Sequence, residues 1–137
     1  MRKVGDRWGL SYSLAGLSFD YLREGQIDQA RLQMDESLTL AREIASTTSM
    51  AIVLVGFAGL AAARGQPVRA AQLIGAADGA LASVNARWWP TEQFAYDYAV
   101  ATIRTLLDDA TWNAAYAEGQ TMTLEQAIVC ALKETDG

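Results

Sequence analysis

A spacing of 40 residues limits what this chain can fold into more than any other feature. Gly25-Gln26 with Ala30 recurs as Gly65-Gln66 with Ala70, and Leu17 and Met34 recur as Phe57 and Ile74. Each unit reads as a helix, a tight glycine turn and a second helix whose early alanine meets its partner at short range. Neither pair can bury its apolar faces alone, so the units must stack.

Ala and Leu dominate, prolines occur only at Pro67 and Pro90, and no Val/Ile/Thr alternation is long enough for a strand. The expected fold is therefore all-α, with about seven helices. The first covers about Asp6 to Arg23 and carries Leu10, Leu14, Leu17 and Tyr21 along one face, with Gly25 left-handed after its end. The second, about Gln26 to Ala45, has Ile27, Ala30, Met34, Leu38 and Ala41 on one stripe and charges opposite. The third, about Ser49 to Arg64, is apolar almost all round and should be sandwiched between neighbours, with Gly56 and Gly59 admitting another backbone.

Pro67 opens the fourth helix, where a missing N–H costs nothing, and the segment AAQLIGAADGALASV favours close helix contact. Thr91 is the expected N-cap of the fifth helix, whose apolar residues include Phe94, Tyr98, Ala101 and Leu106. Asp108 or Asp109 caps a short sixth helix bearing Trp112, Ala115 and Tyr116. Thr123 and Gln126 form a capping-box pattern before the last helix, with Leu124, Ala127, Ile128, Ala131 and Leu132 as its buried stripe. No stretch reads as a linker. Residues 1–137 are thus expected to form one domain, with repeat units at about 6–45 and 49–84 and capping helices over about 91–135.

The first unit resembles the tetratricopeptide repeat through Leu14, Leu17, Tyr21, Gly25, Ile27, Ala30 and Met34, and the second through Leu54, Phe57, Gly65, Ala70 and Ile74. That likeness implies a right-handed stack of antiparallel helix pairs. The period exceeds the usual repeat of about 34 residues, Ser18 stands where a smaller residue is common, and Arg42 stands where a proline is expected; longer helices account for this. The C-terminal half, from AAQLIGAADGALASV to the end, is similar to the end of the helical-repeat region of LuxR-type and MalT-like bacterial transcriptional regulators and related signal-transduction ATPases. Ala71, Leu73, Gly75, Ala76, Ala77, Trp112, Ala115, Glu118, Gly119, Leu124, Ala127 and Leu132 carry that likeness. It implies a regulatory role beside an ATPase module and a DNA-binding domain. Gly65-Gln66-Pro67 lacks a Walker A ending and no basic helix-turn-helix is present, so ATP hydrolysis and DNA binding do not transfer to this chain.

Composition narrows the function further. Eleven Lys plus Arg against 16 Asp plus Glu give a net charge of -5, which offers no footprint for a phosphate backbone. There is no histidine, so Ser-His-Asp and Cys-His catalysis are excluded within the chain. The single cysteine, Cys130, reads as a packed thiol. The Asp108-Asp109 pair reads as a helix cap, not an acid-base or metal site. No catalytic, cofactor-binding or metal-ligating set is expected. The start of the chain carries no secretory signal, and the apolar run from Met50 to Ala63 is 14 residues, too short to cross a bilayer. The expected location is the cytoplasm.

Two clusters are candidates for partner binding. Arg87, Trp88 and Trp89 have a composition suited to recognition, and two adjacent indoles cannot easily face one core. Tyr12, Phe19 and Tyr21, beside Arg7 and Arg23, would line a concave surface made by the first helices of each pair. The expected role is a non-catalytic interaction or sensor domain that binds a protein partner or the attached domains of a larger regulator. A pocket for a small inducer is the alternative. The uncovered side of the first helix implies self-association as a symmetric dimer.

Overall fold

The computed structural model describes residues 4–133. Among the described residues there are seven α-helices and no strand. They are α1 (Val4–Arg23), α2 (Ile27–Glu43), α3 (Thr47–Ala63), α4 (Pro67–Ser83), α5 (Pro90–Arg104), α6 (Asp109–Gln120) and α7 (Leu124–Leu132).

The corners between the first five helices follow one rule. Gly25, Ala45, Gly65 and Asn85 all have positive φ, at 78°, 53°, 76° and 55°. After each, the next amide reaches back to a carbonyl of the preceding helix: Gln26 to Tyr21, Ser46 to Ala41, Gln66 to Ala61 and Ala86 to Leu81, all at 2.9–3.0 Å. The left-handed residue itself donates to Leu22, Arg42, Ala62 or Ala82. This is the Schellman pairing, which satisfies carbonyls that a helix end would leave bare. The 40-residue repeat thus contains a corner every 20 residues, and only the two glycine corners announce it in the sequence.

Packing follows from this folding back. α1 lies on α2 and α3 on α4, while α3 also touches α1, α2, α5 and α7. That position explains its composition: from Ser49 to Ala62 every residue but Gly59 is buried. Phe57, 1% exposed, is the largest fully buried side chain, and its removal from water contributes roughly 2 kcal/mol. Gly56 and Gly59 admit side chains, not a backbone: the space beside them is filled by Met34 and by Leu22 Cδ1.

The face of α1 against α2 is built from Ser11, Ala15 and Ser18, all buried, and not from the Leu10, Leu14, Leu17 and Tyr21 stripe. Ser11 donates to the Ser37 carbonyl at 2.9 Å and Ser37 donates to the Ser11 carbonyl at 2.7 Å. Small hydroxyl residues let the two backbones approach; Ser11 and Ser37 find their partners in the opposite helix, and Ser18 donates to the Ala15 carbonyl of its own helix at 2.6 Å. Leu17 is left 40% exposed.

α6 packs along α4. Gly75 and Gly119 make this contact possible, since a methyl on either would overlap a backbone carbonyl of the other helix, Tyr116 or Gln72. Asp108 caps α6 by accepting from the Thr111 amide at 2.7 Å, and this bond holds its carboxyl below the usual range. Both arms of the Thr123-Gln126 capping box are formed at α7. Ala127, Ile128 and Ala131 are its buried residues, whereas Leu132 is 36% exposed. α5 begins at Pro90 with Trp89 in the N-cap position, so Thr91 lies inside the first turn. Its buried residues are Glu92, Ala99 and Ile103; Phe94, Tyr98 and Ala101 are exposed, as is Leu106 just past its end.

Candidate interaction groove

α1 and α5 both pack on α3, and the space between them is a groove of about 550 Å³. Tyr12, Gly16, Phe19 and Asp20 of α1 form one wall, Glu92 and Ala95 of α5 the other, and Ile52 of α3 the floor. A second recess of about 220 Å³ continues it between Phe19, Arg23, Phe94 and Tyr98. A third, of about 160 Å³, reaches Val55, Gly59 and Ala62 beneath Phe19 and Tyr98. The groove runs the length of α5 because Ala95, Ala99 and Gly59 leave room that larger side chains would fill.

One end is closed by aromatic rings. Trp8 stacks on Tyr12 with centroids 5.5 Å apart, and Trp89 lies 5.9 Å from Trp8 and 6.3 Å from Tyr12. The Tyr12 hydroxyl donates to Glu92 Oε2 at 2.8 Å. Glu92 is 8% exposed and sits in the first turn of α5, where the helix dipole favours its charge. Along the rim, Asp20 pairs with Arg23 at 2.5 Å and Asp97 accepts from Gln93 at 2.8 Å. With those charges engaged, the character of the surface is set by carbon. Phe94 is 66% exposed, and Trp89 and Tyr98 are each 53% exposed. Three large aromatics presented together beside a groove form an apolar surface of the kind that marks an interaction site.

The two predicted clusters are redistributed. Trp89 joins Tyr12, and Phe19 lies further along the same groove. Tyr21 faces elsewhere, beside Leu17, Asp20, Arg23 and Glu24. Arg87 is exposed on the α4–α5 connection. Trp88 turns the other way, half-buried, and donates from Nε1 to Asp78 Oδ1 at 3.1 Å.

Asp78 is a centre that residue spacing did not reveal. Tyr96 and Tyr116 each donate to its Oδ2 at 2.6 Å, so one carboxylate of α4 accepts from the α4–α5 connection, α5 and α6. Burial pushes both phenols well above their ordinary value of 10.0, and hydrogen bonding to the carboxylate pushes them further. The cluster acts as a clasp: it fixes Trp88, and through it the start of α5, against α4. A single Asp within an otherwise Ala- and Gly-rich helix was the available signal. Trp8, Phe94 and Tyr98 were likewise not singled out, because their role depends on which helix lies opposite. Cys130 is half-buried and its thiol is pushed up by burial, with Arg69 and Lys133 opposing that shift. Among the described residues no group of three His, Cys, Asp or Glu stands where it could hold a metal ion. No helix among them is long and apolar enough to cross a membrane.

What this fold defines is an all-α chain of stacked helix pairs carrying an open apolar groove on its first, third and fifth helices. Against family models, curated proteins and solved structures alike, the chain shows no significant match.

Proposed function

We propose that the chain is a non-catalytic interaction scaffold whose α1–α3–α5 groove receives a segment of a protein partner. The observation that carries this reading is the groove itself: about 550 Å³ of open space over Ile52, flanked by exposed Phe94, Tyr98 and Trp89. An elongated apolar trough suits an amphipathic helix or an extended peptide, which would seat alternate side chains along it. The tetratricopeptide-like repeat and the likeness of the C-terminal half to bacterial transcriptional regulators and signalling ATPases support a regulatory setting in the cytoplasm, with attached domains as one source of the partner. A symmetric homodimer is a further mode of assembly, for which Leu17, 40% exposed at the α1 side of the groove, supplies an apolar contact.

The test is selection of binders from a displayed library of helical peptides, followed by mapping of amide shifts in the labelled chain. Shifts concentrated on Tyr12, Phe19, Ala95 and Tyr98 are expected. Binders that perturb only α2, α6 and α7 would refute the assignment. The groove volume also supports a second reading, a small-effector site, since ligand pockets span roughly 300–1,000 Å³. Its open form favours the protein segment, because a small ligand there would leave much of its surface in water.

A further inference from the structure

α1 and α3 hold equivalent places in the two units, yet one face of the helix is covered in α3 and bare in α1. Val53, Phe57 and Leu60 are no more than 3% exposed, and Gly56 is buried among them. α2 lies against that face: a methyl on Gly56 would stand 3.3 Å from Met34 Cε, and the Arg31 guanidinium lies over the Phe57 ring, 5.4 Å from its centre. The residues 40 positions earlier are Ser13, Gly16, Leu17 and Asp20. All four are exposed and line the groove, and a methyl on Gly16 would meet nothing within 4 Å. The same glycine notch is filled by a neighbouring helix in one unit and open in the other.

The exchanges between the two faces say what would cover the bare one. Asp20 stands where the second unit has Leu60, and Glu24 where it has Arg64. Even with Arg23 counted, whose exposed pair with Asp20 is only weakly screening, the border of the α1 face is anionic where that of α3 is cationic. Ser13 in place of Val53 adds a further polar group. A face that is solvated when bare, but keeps Leu17 and an open notch, suits a neighbour that binds and leaves, since such interfaces are polar at the rim and apolar at the centre.

We infer that the occupant of the groove is a basic amphipathic α-helix of a partner protein, lying antiparallel to α1 as α2 lies against α3, with a Met or Leu side chain in the Gly16 notch. The inference rests on the reading of the groove as a protein-binding site and names the form and charge of the segment. The covered face shows which form fits: it takes Arg31 and Met34, three residues apart on one side of a helix, whereas an extended segment presents every second residue. Basic residues flanking the apolar stripe would meet the anionic border at Asp20 and Glu24.

The test uses the α2 segment Ile27–Glu43 as a synthetic stapled helix, in its own sequence and with Asp28→Lys/Asp35→Lys, titrated calorimetrically into the full chain. The lysine form should bind about tenfold more tightly than the unaltered one. Gly16→Met in the full chain fills the notch and should weaken that binding about tenfold, with Tm kept or raised, because the position is open and Met is the better helix former. Ala117→Met, on the exposed side of α6, should bind as the parent does. No binding by either peptide, equal affinity of the two, or equal binding by a Leu38→Pro form of the lysine peptide overturns the inference. So does a dimer of the parent chain that Gly16→Met dissociates, since the occupant is then a second copy. If Gly16→Met is without effect while Phe94→Ala/Tyr98→Ala weakens binding, the helix placement fails and the groove reading stands; if neither variant matters, both fail.

Discussion

Gly75 of α4 and Tyr116 of α6 lie so close that a methyl group on Gly75 would overlap the Tyr116 carbonyl oxygen. The contact is reciprocal, since a methyl on Gly119 would overlap the Gln72 carbonyl. Neither obstacle is a flexible side chain, so the helices would have to separate. Gly75→Ala or Gly119→Ala should each cost about 3 kcal/mol in urea unfolding. Gly9→Ala on α1 meets nothing within 4 Å, and should instead stabilise by about 0.5–1 kcal/mol through helix propensity. Equal effects at the three positions would contradict the close α4–α6 packing.

Ala45 holds a corner that glycine holds in the two neighbouring instances, Gly25 and Gly65. An L-residue at φ 53° carries a steric penalty of about 1 kcal/mol. Ala45→Gly removes it while adding some unfolded-state entropy, so a net gain of about 0.5 kcal/mol is expected in the same unfolding assay. A loss of stability would show that the corner is not left-handed in solution.

The contrast between these corners shows what the sequence made legible. Gly25, Gly65, Pro67, Asp108 and the Thr123-Gln126 box are local devices, each completed within a few residues of itself, and each is where spacing put it. Leu17 and Phe57 occupy equivalent repeat positions, yet one is 40% exposed and the other 1%. Periodicity shows which residues share a helix face; it does not show whether that face is covered. By the same limit, the apolar spacing of Phe94 and Tyr98 does not tell that both are exposed. Asp78 was illegible for another reason, since its donors stand 10, 18 and 38 residues further along the chain.

The phenols on Asp78 give the fold a pH signature. Both have folded-state values raised above the ordinary 10.0. Above that pH the unfolded chain loses these protons while the folded chain keeps them, so the unfolded state binds fewer protons and stability falls as pH rises. Below it the contribution is fully present. Unfolding midpoints followed upward from pH 9 should therefore decline, and Tyr96→Phe or Tyr116→Phe should flatten the decline even though each lowers stability at neutral pH. An unchanged slope in both variants would contradict the clasp.

In the proposed scaffold the aromatic rim of the α1–α3–α5 groove serves binding and not folding. Phe94 and Tyr98 are 66% and 53% exposed, so replacing both by Ala should leave Tm nearly unchanged. The decisive measurement is the Kd of a library-selected peptide for the Phe94→Ala/Tyr98→Ala variant, with Tm recorded on the same sample. Weakening by about a hundredfold, or roughly 2.7 kcal/mol, with Tm retained is the predicted result. Unaltered affinity, or binding lost only along with the fold, would contradict it.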